Sequence, residues 1–496
     1  MREWFKRLML VAAAAFVLQS CDKPQSSGNG LTVGVRLEPP SLDPTLGAAA
    51  ATDEVVYGNV FEGLTRIGPD GKVHPALAQS WTVDDTGLLY EFRLQHGVRF
   101  HDGTTFDADD VKFSLERARA LHSTNAQRYL FSMIDEIIVV APDRVRITLK
   151  RRTADFAFNL AWGDAVIVAP ESASRNAYLP IGTGPFRFLR WQKGTSIYLE
   201  KNHDYWGEHP LLDWVTFRII PDSAAAYAAV MAGDIDGYPN FPAPELVKQI
   251  AKDGRFDIVI GETEGETILG INNGRPPFDN VLVRRAISHA MDRNAIIKGA
   301  MFGYGTPIGS FFSPTHPAYI DLLDMSPYDP AKARMLLAQA GYPDGFEAEI
   351  KIPSAYYARR SGEIIAAQLR AVGIDAKIQY MEWAQWLDQV LGNRNYDLTI
   401  VSHTEPRDIR FFARADNYFQ YHNPHFNALM DDIEQAESTS QRGHYYQEAQ
   451  RILAQDAAVG FLFQLPQIGI WRKTVRGYWK NSPIPAINLA AVSNGA

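Results

Sequence analysis

The chain has 496 residues, 46% hydrophobic and 21% charged, with a formal net charge of −8. That length exceeds one hydrophobic core and predicts about three domains, while the balance of apolar and charged residues excludes wholesale disorder. The acidic balance, with no long basic run, excludes nucleic acid as a partner and disfavours attraction to anionic lipid surfaces.

The N-terminus reads as an export signal. Arg2, Lys6 and Arg7 make a basic start, and residues 8–18 form an apolar run of signal-peptide length, too short to span a bilayer. Cys21 is the only cysteine, so an internal disulfide is excluded. Leu18-Gln19-Ser20-Cys21 resembles the lipobox of bacterial lipoproteins, although Gln19 stands where a small residue is commoner. The resemblance implies a signal peptide over residues 1–20, lipidation of Cys21, and a membrane anchor with a Ser/Gly-rich tether over 21–30. Asp22 after the cysteine resembles an inner-membrane retention signal. A plain signal peptide with an incidental cysteine is the alternative. No later segment offers about 18 uninterrupted apolar residues.

Residues 31–35 alternate and predict a first strand. The prolines of Glu38-Pro39-Pro40-Ser41-Leu42-Asp43-Pro44 have no amide hydrogen for a ladder and end it. Residues 48–61 predict a helix. Phe100-His101-Asp102-Gly103 is a tight turn, and Asp107 caps a helix to about Ala120. Residues 137–140 and 145–149 predict a hairpin through Pro142-Asp143. Further on come Ile181-Gly182-Thr183-Gly184-Pro185-Phe186 and Tyr205-Trp206-Gly207. These glycines suit positive φ or close backbone approach. No Lys-Ser/Thr follows them, so they are not a phosphate loop.

The second half alternates strand and helix. Asp329-Pro330 opens a helix that Gly341 stops. Strands over 346–352, 374–380 and 396–401 are separated by helices over 364–372 and 383–390. This is a parallel α/β sheet with right-handed crossovers. Ligands of such sheets sit beyond the carboxyl ends of the strands, which places Ser402-His403-Thr404-Glu405-Pro406-Arg407-Asp408 at a mouth. Glu405 and Asp408 suit a ligand ammonium. Arg407, Arg410 and Arg414 suit a carboxylate or phosphate through a bidentate fork. As a loop carboxylate, Asp408 is expected to support no core. Phe411-Phe412 and Tyr418-Phe419 read as core or cleft lining. His422 and His425 flank Asn423-Pro424 with no cysteine nearby, so no metal and no cofactor are expected. Nothing has nucleophile-elbow spacing, so no enzyme is expected.

The Glu-Pro-Pro-Ser-Leu-Asp-Pro turn, the His101-Asp102-Gly103 turn, the stretch from Ile181 to Asp236, and Pro277-Phe278-Asp279-Asn280-Val281 with Arg284-Arg285-Ala286 stand in one order. In that order they resemble the extracellular solute-binding proteins of the oligopeptide, dipeptide and nickel type. The resemblance implies an α/β, two-lobed periplasmic-binding fold of type II, with an extra domain on lobe I. It places lobe I at residues 31–65, 181–268 and 468–496, the extra domain at 66–180, and lobe II at 269–467. It also implies a monomeric, periplasmic component of an ABC importer that captures a solute between the lobes and delivers it to a membrane permease. Ser402-His403 stands where the peptide binders carry Gly-Trp, and Glu405 falls near their acidic slot. Glu38 and Ser41 are implied to face the cleft from lobe I. Short peptides or amino-compound conjugates lead as ligands. Opine or sugar-phosphate conjugates, glutathione and metal chelates are the alternatives, with a secreted hydrolase or chaperone-like lipoprotein behind them.

Overall fold

The computed structural model describes residues 29–47, 49–153, 155–404, 408–436 and 438–495. Cys21 and Asp22, with the signal peptide, and Glu405 and Arg407 of the mouth lie outside the described residues. No helix among the described residues is long and apolar enough to cross a membrane.

An eleven-stranded sheet runs through the molecule. At one end Phe346–Pro353 lies between Ile374–Met381 and Leu398–His403, parallel to both. At the other end Gly30–Val35 lies parallel to Trp214–Ile219, which continues into the antiparallel Ser196–Lys201 and Phe186–Gln192. The two ends are joined by two long antiparallel strands, Phe256–Ile271 and Val459–Arg472. Their register shifts between Glu262 and Glu266 and again after Thr267. Such irregularities bend a strand. The packing divides at the same place. Leu269, Ile350, Ile400 and Phe463 share one core, while Leu31, Phe217, Trp471 and Leu489 share another. The fold is therefore α/β with two lobes, and the long strands belong to both.

A four-stranded antiparallel sheet, Ala78–Val83, Leu89–Leu94, Arg144–Leu149 and Ile134–Ala141, stands apart with its own core. The helix Ala108–Arg119 packs on it and opens with the expected Asp107 cap, which is a full capping box with Asp110. The helix expected over 48–61 is only Ala50–Val56. Tyr57 turns extended and Gly58 takes φ 70°. Asn59 then bonds the carbonyl of Ile487 and the amide of Leu489 from the C-terminal segment, so tertiary contacts end the helix early.

The two glycine-rich turns lock the first lobe. A Cβ on Gly182 would stand 2.0 Å from the Val60 carbonyl oxygen, and one on Gly184 would stand 2.5 Å from that of Asn59. Only glycine permits this approach. His101 Nε2 bonds the Gly184 carbonyl at 2.9 Å, while its Nδ1 accepts from the Gly182 amide at 3.3 Å. Desolvation pushes the His101 pKa down to about 4. Nearby, the Glu62 carboxylate accepts from Thr183 Oγ1, Tyr205 Oη and Trp206 Nε1 at 2.8, 2.8 and 2.9 Å. Burial raises the Glu62 pKa despite these donors.

Candidate functional site

The carboxyl ends of the parallel strands in both lobes converge on one cleft. From the first lobe, Arg36 follows Gly30–Val35 directly. From the second, Ser354 follows Phe346–Pro353, and Arg36 Nη2 donates to the Ser354 carbonyl at 2.6 Å. The helix Tyr356–Arg370 begins there, and Tyr357 Oη accepts the Ser402 amide at 3.0 Å. Crossover topology thus brings Ser402 and His403 to the cleft, where the strand order places ligands.

His403 ends its strand opposite Glu266 in the neighbouring ladder. Its Nδ1 lies 2.7 Å from Asp408 Oδ2, and its Nε2 lies 2.9 Å from Tyr418 Oη. An ionised carboxylate can only accept. A neutral His403 therefore carries its proton on Nδ1, and Tyr418 donates to Nε2. The His403 and Asp408 side chains are 9% and 13% exposed, so the pair is shielded from water and salt. Asp408 is accordingly tied to buried groups, which differs from the expectation of a loop carboxylate with no core role. Its Oδ1 is buried with no partner among the described residues. Burial, and behind it the charges of Asp408 and Glu264, holds Glu266 well above the usual carboxylate range.

Asp408 lines a small, partly open pocket between the first-lobe side and the second lobe. Gln127, Asp155 and Trp162 face it from the former, and Arg410, Glu434 and Tyr446 from the latter. Two of its three carboxylates have an arginine nearby. Asp155 faces Arg442 at 3.8 Å, and Glu434 faces Arg410 at 3.2 Å. Asp408 pairs directly with His403, and Arg414, which holds Asp416, acts on it only through its charge. The Trp162 indole nitrogen is also buried without a hydrogen-bond partner among the described residues.

The arginines are already engaged. Arg410 donates to the Met430 carbonyl at 2.9 Å and to Asp431 and Glu434 at 3.1 and 3.2 Å. Arg414 holds Asp416 through two bonds of 2.9 Å. Glu38 accepts from Trp191 Nε1 at 3.0 Å and from the Gly194 amide at 2.8 Å. Ser41 Oγ accepts the Asp43 amide at 3.0 Å. The structure thus brings Ser402, His403, Asp408 and Arg410 together on the second-lobe wall, and gives Glu38 and Ser41 partners within the first lobe. Further along the cleft, Glu54 is crowded by protein yet partly open, and desolvation raises its pKa to about 7.

Sequence reasoning missed Trp162, Asp155, Glu434, Tyr446 and Glu266. Tyr446 sits on a helix whose face includes Ala449 and Leu453, so it reads as core. Glu266 carries no local signal, because its importance comes from its neighbour across the ladder.

A family model described as bacterial extracellular solute-binding proteins, family 5 Middle, matches residues 72–408. The glutathione-binding protein GsiB of Salmonella paratyphi A is 33% identical over 400 residues, 79% of this chain and 76% of that protein. The periplasmic binding protein DppA from Helicobacter pylori, solved with the peptide STSA, superposes with a TM-score of 0.86 at 27% identity. That match covers 95% of this chain and 99% of the other. The binding protein AgaA of A. tumefaciens R10, solved with agropinic acid, gives a TM-score of 0.85 at 26% identity, covering 94% and 99%.

Proposed function

The chain belongs to the bacterial extracellular solute-binding proteins of family 5, and on that premise we propose that it captures a short peptide or amino-compound conjugate through an ammonium group paired with Asp408. It is the substrate-binding component of an ABC importer, and proteins of this kind deliver a small solute or peptide to a membrane permease. The observation that carries the ammonium reading is the charge arrangement in the pocket. Asp155 and Glu434 have arginine neighbours, whereas Asp408 keeps a buried oxygen without a partner among the described residues. A ligand cation completes that site with a charge-assisted bond. In this reading Ser402 and His403 flank it, Arg410 completes the polar wall, and Glu38 and Ser41 face the cleft from lobe I, with Glu405 and Arg407 as further candidates from the sequence of the same loop.

An anionic ligand such as a sugar-phosphate conjugate has less support, because Arg410 and Arg414 already serve carboxylates. The chemistry is capture without turnover, and the ligand's preference for the closed form supplies the driving force. The protein acts as a monomer in the periplasm, held to the inner membrane by a lipidated Cys21. The lobes are residues 31–65, 181–268 and 468–496 against 269–467, with 66–180 as the added domain.

The test is native mass spectrometry of the purified protein, followed by calorimetry with the solute found, alanyl-alanine, its N-acetyl form and reduced glutathione. Binding of free-amine compounds but not of the acetylated one is expected. Equal binding of both dipeptides overturns the ammonium pairing, and a chemically altered ligand overturns capture without turnover.

A further inference from the structure

Outside the pocket, the two lobes touch through a second set of groups. Glu245 lies in the short turn Pro244–Leu246, next to Ala243 and Val247 of the first-lobe core. Arg360 lies one turn into the helix Tyr356–Arg370, packed on the second-lobe core. Arg360 Nη1 and Nη2 donate to the two Glu245 oxygens at 2.8 and 2.7 Å. This is a bidentate fork, the strongest form of side-chain ion pair. The Glu245 pKa is lowered and the Arg360 pKa raised, each chiefly by this bond. The guanidinium also lies 5.2 Å from the centre of the Phe302 ring, and Phe302 is held at φ 56°, an uncommon backbone state for a bulky residue. The ring offers a cation–π contact to the guanidinium that the fork presents to the first lobe. Arg36 reaches the other way, onto the Ser354 carbonyl and the Tyr356 ring.

Neither Glu245 nor Arg360 lines the pocket. A bond between lobes exists only while the lobes are together, so its free energy belongs to the closed state alone. Across the pocket side, Arg151 meets Asp431 at 3.3 Å, a single bond between more exposed groups. The fork is therefore the tighter of these two crossings.

We propose that Glu245 and Arg360 are positioning residues that latch the lobes shut, and so set how long the protein retains its solute. This reading needs the two-lobed fold but not any particular ligand. The pair is 27% and 36% exposed, which limits its strength to about 1 kcal/mol. That is roughly a fivefold change in the ratio of open to closed protein.

The chain's only cysteine is Cys21, so a Cys21→Ser background with Leu211→Cys and Met335→Cys accepts a dye pair at one exposed site on each lobe. Single-molecule energy transfer on the ligand-free protein then reads the closed fraction. Glu245→Ala and Arg360→Ala should each raise the open-to-closed ratio about fivefold, with no further change in the double variant. Glu245→Arg should open the protein more than Glu245→Ala, and the exchange Glu245→Arg with Arg360→Glu should restore closure. High salt should open the wild type but not the alanine variants. A closed fraction unchanged in the single variants, or an exchange variant no more closed than the singles, overturns the latch. Thermal melts of each variant separate a loss of closure from a loss of folding.

Discussion

The substitution Asp408→Asn removes a charge while keeping the shape and one acceptor oxygen. The amide oxygen that results can still accept from His403 Nδ1, so the buried chain through Tyr418 survives as neutral hydrogen bonds. What disappears is the charge facing the ligand. Truncating one member of a buried, hydrogen-bonded charge pair costs about 2–5 kcal/mol. The His403 and Asp408 side chains are 9% and 13% exposed, so the buried figure applies rather than the roughly 0–1 kcal/mol of a rim pair. The low end of that range is about 30-fold in affinity. Calorimetric titration of a free-amine ligand into Asp408→Asn should therefore show at least about 30-fold weaker binding. Stability should fall by only about 1 kcal/mol, the difference between a charged and a neutral bond. Affinity within about threefold of the wild type refutes the assignment of Asp408 as the ammonium partner. A loss of stability as large as the loss of affinity assigns Asp408 to the fold instead.

The other expectations concern the frame around the site and the anchor. Glu62→Ala removes the acceptor of the buried Thr183 hydroxyl and of the half-buried Tyr205 and Trp206, and at about 1–3 kcal/mol for a buried unsatisfied group denaturant unfolding should show a loss of about 1–3 kcal/mol. His101 has a folded pKa lowered to about 4 from 6.5. The unfolded chain therefore binds the proton first, and stability should fall as pH drops from about 6.5 to about 4, by up to about 3 kcal/mol. Glu54, raised to about 7 from 4.5, acts in the opposite sense: its protonated folded state loses stability as pH rises through that interval. The readout for His101 is accordingly the difference between the wild type and His101→Gln in pH-dependent melts, and parallel pH profiles would rule the effect out. Cys21→Ser should release the protein from membrane fractions into the soluble periplasmic fraction, and a wild-type protein found wholly in the soluble fraction counts against lipidation.

What could be read from the chain followed the periodicity of each element. Ala348, Ile350 and Ile352, and likewise Ile374 and Ala376, point into a core shared with Leu369. Their alternation survives because one face of each strand is buried against helices. The Asp329 cap and Pro330 appear as expected, with the Asp329 side chain accepting from the Lys332 amide. The Trp383 helix was legible only in part: it is a single turn, Trp383–Trp386, that widens into a π-helical stretch over Leu387–Gly392. Hydrophobic spacing does not distinguish hydrogen bonds to the fourth residue from those to the fifth. The pocket was the least legible part. Its walls come from residues 127–162 and 408–446, brought together by lobe packing rather than by any local pattern.

The same separation in sequence explains why affinity and closure are linked here. Asp155 belongs to the first-lobe side, while its neighbours Arg442 and Tyr446 lie on a helix of the second lobe. Asp408 and Trp162 likewise line the pocket from opposite sides. Opening the lobes exposes all of these groups to water, where each can be hydrated at little cost. Closing without a ligand leaves the Asp408 oxygen and the Trp162 nitrogen buried and unpaired among the described residues, at about 1–3 kcal/mol for each such group. A ligand that supplies a donor to one and an acceptor to the other removes that penalty only in the closed form. Its binding energy is then differential between the two states, which is the condition for a solute to drive closure. On the proposed pairing, a solute lacking either group would forgo part of that drive, and the same two atoms would both select the ligand and trigger closure.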